Sequence, residues 1–231
     1  MKTPLTTEQL EALRQVDGGT LANAIESFQK RLRNEGFVDS SVRCLFPHLP
    51  PVVGYAVTVK IRGSAPPVAG DAYVDRTDWW DYVVSVPAPR VVVVQDMATR
   101  PGLGSLLGAV HVNILRALGG VAAVTNGAVR GIPAAEGLNF QLFAGCVALS
   151  HAYVHIVEFG TPVEIGGLKI QSGDLLHGDR HGVQSIPEDI ATQIPPVAAE
   201  IAAEERALIK LCQSPEFTIE KLRATVKQSR P

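Results

Sequence analysis

Cysteine is scarce in this 231-residue chain: Cys44, Cys146 and Cys212 are an odd number with no CxxC spacing. Neither a disulfide framework nor a thiolate metal site is indicated, and a reducing cytoplasm fits best. Long apolar runs are missing too, since no stretch approaches the roughly 18 residues that a membrane-crossing helix needs. Residues 1–9 turn polar and acidic just where a signal peptide requires its apolar run, so the sequence predicts a cytoplasmic protein with no membrane association. Charge of one sign is lacking: 21 Lys+Arg against 23 Asp+Glu leave a net −2, with no global pull toward nucleic acid. Repeats and low-complexity tails are absent. What remains, 46% hydrophobic and 19% charged residues, excludes a disordered or collagen-like polymer and leaves a compact α/β-sized core.

Thr6 followed by Gln9 is a capping-box pattern, predicting a short helix that stops before Asp17, Gly18 and Gly19. Leu21, Ile25, Phe28 and Leu32 recur once per turn, predicting a second helix closed by Gly36. Residues 52–61 alternate with β-branched enrichment and read as a strand, followed by a loop over 63–70 with Pro66 and Pro67. Four consecutive valines within 90–95 mark a strand buried on both faces. A Gly-rich turn over 101–108, a helix over about 106–118 and a buried strand over 121–125 complete one βαβ unit. Residues 163–170 read as a hairpin turning at Gly166 and Gly167, and 174–186 as two short strands broken by 177–182. Pro195 and Pro196 are expected to interrupt a helical stretch that resumes over 197–212.

The segment from Gly102 to Gly108 follows a valine strand and opens a helix, as a dinucleotide loop does. Its spacing is GxGxxxG, and the next strand ends in Asn126 instead of an acid that would hold a ribose, so no nucleotide cofactor is expected. The same physics suits a small anion, because glycines admit a ligand to backbone N–H groups and the helix N-terminus adds a positive dipole end. Arg130 follows the second strand of the unit, and both parallel strand ends open on one crevice, where a guanidinium could clamp a carboxylate.

Gly108-Ala109-Val110-His111, then Gly119, then Thr125-Asn126-Gly127-Ala128-Val129-Arg130 resemble the RraA-like family of ribonuclease regulators and 4-hydroxy-4-methyl-2-oxoglutarate/oxaloacetate aldolases. Residues 173–183, with Gly173-Asp174 and Asp179-Arg180-His181-Gly182-Val183, are similar to a later hairpin of that family. The resemblance implies an α/β fold of β/β/α, swivelling-domain type, with a single domain over 1–231, its core about 20–190 and a helical extension about 191–231. It also implies a homo-oligomer, trimer or hexamer. In the aldolases it implies Mg²⁺ or Mn²⁺ beside a loop that binds the 2-oxo acid. The substrate loop falls on Gly108, Ala109, Val110 and His111, and the carboxylate-binding arginine on Arg130. Two acids of the aldolase pattern are replaced here, by Ala109 and Gly131, neither of which can ligate Mg²⁺ through a side chain. A further acid from a neighbouring subunit would correspond to Glu204 or Glu205, and an aspartate restored at 131 is expected to raise activity.

The expected function is therefore an aldolase-like lyase that cleaves or decarboxylates a small 2-oxo or hydroxy acid to pyruvate, impaired at its metal. The alternative is a non-catalytic regulator that binds a protein such as a ribonuclease. His111 is a candidate general base, or a helix-face histidine bonded to a neighbour. His151 and His155, four apart, suit either zinc or one face of a strand. His177, Asp179 and His181 form a cluster that a solvated turn explains equally well. Residues 71–81 hold both tryptophans, and Asp75, Asp78 and Asp81 step by three, as a charged helix face or a binding lid would.

Overall fold

The computed structural model describes residues 3–67 and 77–228, with side chains through 226. Helix α1 (Thr7–Arg14) opens on the reciprocal Thr6–Gln9 capping box and buries Leu10 and Leu13. Helix α2 (Gly18–Ser27) follows, capped by Asp17, whose carboxylate accepts the Thr20 amide at 3.0 Å. A short strand β1 (Arg43–Cys44) precedes the long β2 (Val52–Arg62), helix α3 (Thr77–Ser85) and β3 (Arg90–Asp96). Then come α4 (Ala109–Ala117), β4 (Gly120–Val129), α5 (Ile132–Gly137) and β5 (Gln141–Val147). Strands β6 (His155–Phe159), β7 (Val163–Ile165), β8 (Leu168–Ile170), β9 (Leu175–Asp179) and β10 (Gly182–Ile186) are followed by α6 (Ile194–Cys212) and α7 (Ile219–Gln228).

The main sheet runs β1-β5-β4-β3-β2-β9-β10. Its centre, β2 to β5, is parallel, while β1, β9 and β10 add antiparallel edges and β6 pairs the far end of β2. Period-two alternation divides the valines between two layers. Val91 and Val93 pack with Val163, Ile165, Leu168 and Ile170 of the β7–β8 hairpin, whereas Val92 and Val94 face the helical side with Leu21, Ile25 and Leu115. The result is hairpin, sheet and helices: the β/β/α layering that the resemblance implies.

Several local expectations change. Helix α2 ends at Ser27, and Leu32 is exposed, since the chain turns at Gln29 with φ +53°. Gly36 serves a different purpose: a Cβ there would fall 2.0 Å from the guanidinium of Arg31, which donates to the Ser185 carbonyl at 2.8 Å. Helix α4 begins at Ala109 rather than near Leu106, because Leu107 is held beside Val129 and its carbonyl accepts the Arg130 amide at 2.9 Å. Pro195 and Pro196 start α6 instead of interrupting a helix, as first-turn prolines have no intrahelical donor to lose. His177 and Asp179 lie within β9, so the turn of that hairpin contracts to Arg180 and His181. Helix α5 and strand β5 have no counterpart in the sequence reading.

Candidate functional site

The site lies at the carboxyl ends of β3 and β4, where open parallel sheets present their crevices. Asp96, the last residue of β3, is 3% exposed and organises the loop that follows. Its carboxylate accepts the Ala98 amide at 3.0 Å and the Gly102 amide at 2.8 Å. Asn126 of β4 clamps the same residue from the side, accepting the Asp96 amide at 2.7 Å and donating to its carbonyl at 3.1 Å. Asn126 therefore fixes loop geometry, which is why an amide, both donor and acceptor, stands where a ribose-binding acid was sought.

The loop ends at Gly108, the N-cap of α4, which supplies no side-chain cap. The first-turn amides of Ala109, Val110 and His111 have no carbonyl one turn earlier within the helix to bond to. Arg130, just past β4, lays its guanidinium across Gly108: a Cβ at 108 would come within 3.1 Å of Nε and 3.2 Å of Cζ. Glycine is required here for close approach. The Arg130 Nε is buried and makes no hydrogen bond, an unpaired donor of the kind folded proteins avoid unless a ligand completes it.

Arg130 and His111 line one cavity of about 170 Å³ together with Ser105, His151 and His155. Trp79, Trp80, Leu106, Val154 and Ile156 complete its lining. The loop carrying His151 reaches the cavity by folding against the glycine loop, where Ser105 donates its amide to the Ser150 carbonyl at 3.2 Å. Gly104 permits this contact, since a Cβ there would be 2.3 Å from the His151 carbonyl oxygen. Both of these histidines are pinned by Nδ1, His151 on the Ala152 carbonyl at 2.7 Å and His155 on the Tyr153 carbonyl at 2.8 Å. With Nδ1–H donating to a carbonyl, each ring is held in a fixed orientation. Burial, reinforced by the positive charge of Arg130, pushes the His111 pKa below the ordinary 6.5. His111 is thus neutral at pH 7 and able to accept a proton.

Of the predicted residues, His111 and Arg130 line this cavity and Gly108 lies against the Arg130 guanidinium, whereas Ala109 and Val110 are exposed and outside its lining; His151 and His155 join it, a grouping that their spacing did not reveal. Zinc is not supported: among the described residues no three His, Cys, Asp or Glu side chains are grouped to hold a metal ion. Ala109 and Gly131 offer no carboxylate, and Gly131 lies with φ +68° directly against the Ala109 backbone. Glu205 accepts the Asn23 amide of α2 at 3.4 Å, and neither it nor Glu204 lines this cavity. His177, Asp179 and His181 are also elsewhere. Asp179 accepts the Gly18 amide at 2.8 Å and the His181 amide at 2.8 Å, which anchors the start of α2 to β9. Asp78 and Asp81 are exposed on α3, whereas Trp79 is buried beside Phe159; Asp75 and the rest of 68–76 lie outside the described residues. Asp96, Ser105 and the apolar wall escaped sequence reading, although the strand-terminal position of Asp96 was a usable signal.

Comparison with known proteins matches residues 20–184 to the RraA-like (Aldolase/RraA) family model, a span that contains every cavity residue. A curated protein of Halalkalibacterium halodurans, named "Putative 4-hydroxy-4-methyl-2-oxoglutarate aldolase", is 34% identical over 98 residues. That alignment covers 40% of this chain and 47% of the relative, so the chain matches about half of the relative's length. An uncharacterized protein from Pseudomonas syringae pv. tomato superposes with a TM-score of 0.73 at 23% identity, covering 97% of both chains. A Streptomyces coelicolor member of the RNase ES inhibitor RraA family superposes with a TM-score of 0.69 at 22% identity, over 89% of this chain and 98% of that one. These structures establish the fold. Among the described residues no helix is long and apolar enough to cross a membrane.

Proposed function

The chain belongs to the RraA-like family, and we propose that it is a lyase of the aldolase type, cleaving a 4-hydroxy-2-oxo acid to pyruvate and a carbonyl compound. One observation carries this: the buried, unpaired Arg130 Nε lies over Gly108 at the start of α4, in the same cavity as a neutral His111. Arg130 and the first-turn amides bind the carboxylate and the 2-oxo oxygen. His111 takes the proton of the 4-hydroxyl, the C3–C4 bond breaks, and its electron pair passes into the enolate of pyruvate. Arg130 and the helix N-terminus offset the negative charge that develops there. Return of the proton from His111 to C3 completes pyruvate and restores the base.

The described side chains do not fit a divalent cation, since Ala109 and Gly131 stand where acids are needed. No step is assigned to a metal. A carboxylate from Glu204 or Glu205 of a neighbouring subunit would be the remaining source of an oxygen ligand, and one alone holds Mg²⁺ weakly. Pyruvate release from 4-hydroxy-2-oxo acids, followed by a coupled lactate dehydrogenase assay with and without EDTA, tests the proposal. Release that survives EDTA and disappears in Arg130→Ala is expected; no release from any such substrate would overturn it.

Exposed apolar side chains on the rim favour a second reading at the level of assembly. Leu103 is 61% exposed and Val110 71%, and Val147, Leu149 and Tyr153 are exposed on segments that flank the cavity residues in the chain. We propose that this rim meets further copies of the chain in a trimer or hexamer, and light scattering on a sizing column measures the mass directly. A monomer in solution would instead favour a regulator that offers the rim to another protein, such as a ribonuclease.

A further inference from the structure

The cavity has a mixed lining: Arg130, His111, Ser105, His151 and His155 are polar, and half of the lining residues are apolar or aromatic. Trp79 is 3% exposed, held by Phe159 at a ring-centroid distance of 5.9 Å and by Tyr82 at 6.2 Å, so it forms a fixed wall. Val154 and Ile156 are buried and line the same cavity, and Leu106 and Trp80 complete its apolar surface. The cavity encloses about 170 Å³ in all, head site included, close to the roughly 150 Å³ of an apolar protein cavity that takes a benzene ring, so head and tail together must be small. Among the described lining residues, Arg130 is the one side chain with a permanent positive charge.

Resting on the carboxylate-binding reading above, we propose that the substrate carries an uncharged apolar group, a branched alkyl or an aromatic ring, beyond its 2-oxo acid head. The head docks on Arg130 and the α4 amides, and the tail fills the space against Trp79, Trp80, Leu106, Val154 and Ile156. A second carboxylate in that position would be desolvated against indole and aliphatic carbon with no described cation to meet it, which is unfavourable. The aldol cleaved is then one between pyruvate and an apolar aldehyde or ketone, rather than one between two carboxylic acids.

Both tryptophans of the chain line this cavity, so its occupancy can be read from intrinsic emission. The full chain is titrated with 4-methyl-2-oxopentanoate, pyruvate and oxaloacetate, following tryptophan fluorescence, and with phenylpyruvate by calorimetry. The apolar-tailed acids are expected to bind on the order of tenfold to a hundredfold more tightly than pyruvate, as burial of several methylene equivalents provides. Oxaloacetate is expected to bind no better than pyruvate, and Trp80→Lys to reverse that order by placing a cation on the tail wall. Pyruvate or oxaloacetate binding as tightly as the apolar acids, with all binding weakened in Arg130→Ala, would overturn the tail proposal and leave the head site standing. No binding by any acid, or binding indifferent to Arg130→Ala, would overturn both.

Discussion

A Cβ built on Gly131 would fall 2.4 Å from the backbone nitrogen of Ala109 and 3.0 Å from its Cα. The two positions at which this chain departs from the aldolase pattern are therefore in contact, and the departures form one structural unit. Gly131 also adopts φ +68°, ψ 30°, the left-handed region in which glycine loses nothing and other residues are strained.

This contact argues against the expectation that an aspartate restored at 131 would raise activity. Gly131→Asp is expected to destabilise the protein by about 1–3 kcal/mol, through backbone strain and displacement of the α4 start. It should bring no Mg²⁺-dependent pyruvate release. Urea titration together with the coupled assay checks both parts, and an unchanged midpoint with new metal-dependent activity would refute the contact argument.

Arg130→Ala should leave the fold intact, because the structural bond at this residue is made by its backbone amide to the Leu107 carbonyl at 2.9 Å. Loss of a charged hydrogen-bonding partner costs about 1.5–3 kcal/mol, so acid binding should weaken by roughly 10- to 150-fold. Calorimetry with an unchanged circular dichroism spectrum is the expected pair of results. Arg130→Lys should rescue only partly, since an ammonium cannot reproduce the planar fork.

His111 should set the acid limb of the activity profile. Burial and the charge of Arg130 lower its pKa from 6.5, so the neutral base persists below that value and activity falls only on further acidification. A pH profile of kcat/KM with its acid limb below 6.5, flattened in His111→Gln, is the expected outcome. An unchanged limb in the variant would remove His111 from proton transfer.

His177 should make stability depend on pH over a neighbouring window. Burial lowers its pKa from 6.5 against the opposing influences of the Val16 carbonyl, Asp179 and Asp17. Its Nε2 donates to Val16 at 2.9 Å, and its Nδ1 is buried without a partner. Below pH 6.5 the unfolded chain binds a proton at this residue that the folded chain resists, so stability is full above that pH and declines beneath it. Urea midpoints measured from pH 7.5 to 5 should fall, with a shallower slope in His177→Gln.

Asp96→Ala should act on the site from behind. It removes the acceptor for the Ala98 and Gly102 amides, at about 2 kcal/mol in stability, and frees the glycine loop that positions Gly108. KM for the substrate should rise more than kcat falls, because the residue shapes the binding loop without lining the cavity. A change confined to kcat would contradict that positioning role.

Where the sequence was informative, the determining forces were local. The Thr6–Gln9 box, the valine run of β3, the two-glycine turn of the β7–β8 hairpin and the βαβ unit around Gly108 and Arg130 each follow from neighbours a few residues apart. Strand β5 was missed because its end, with Gly145, Cys146 and Val147 exposed, lacks the alternation of a buried strand. Helix α5 is only six residues and opens on an uncapped glycine. Neither presents a periodic signal long enough to read.

The sequence by itself determined the βαβ unit, its glycine turn before a helix and the arginine at the strand end, because backbone propensity and hydrophobic period are written in adjacent residues, while the layering and the two replaced acids followed from the family resemblance of its motifs. Only the tertiary structure decided that Gly131 rests on Ala109, that His151 and His155 turn toward Arg130, and that Trp79 and Trp80 face the same cavity. Those relations join loops separated by tens of residues. Their geometry is set by how the loops pack over the sheet edge, a long-range balance of sterics and burial that no local pattern encodes.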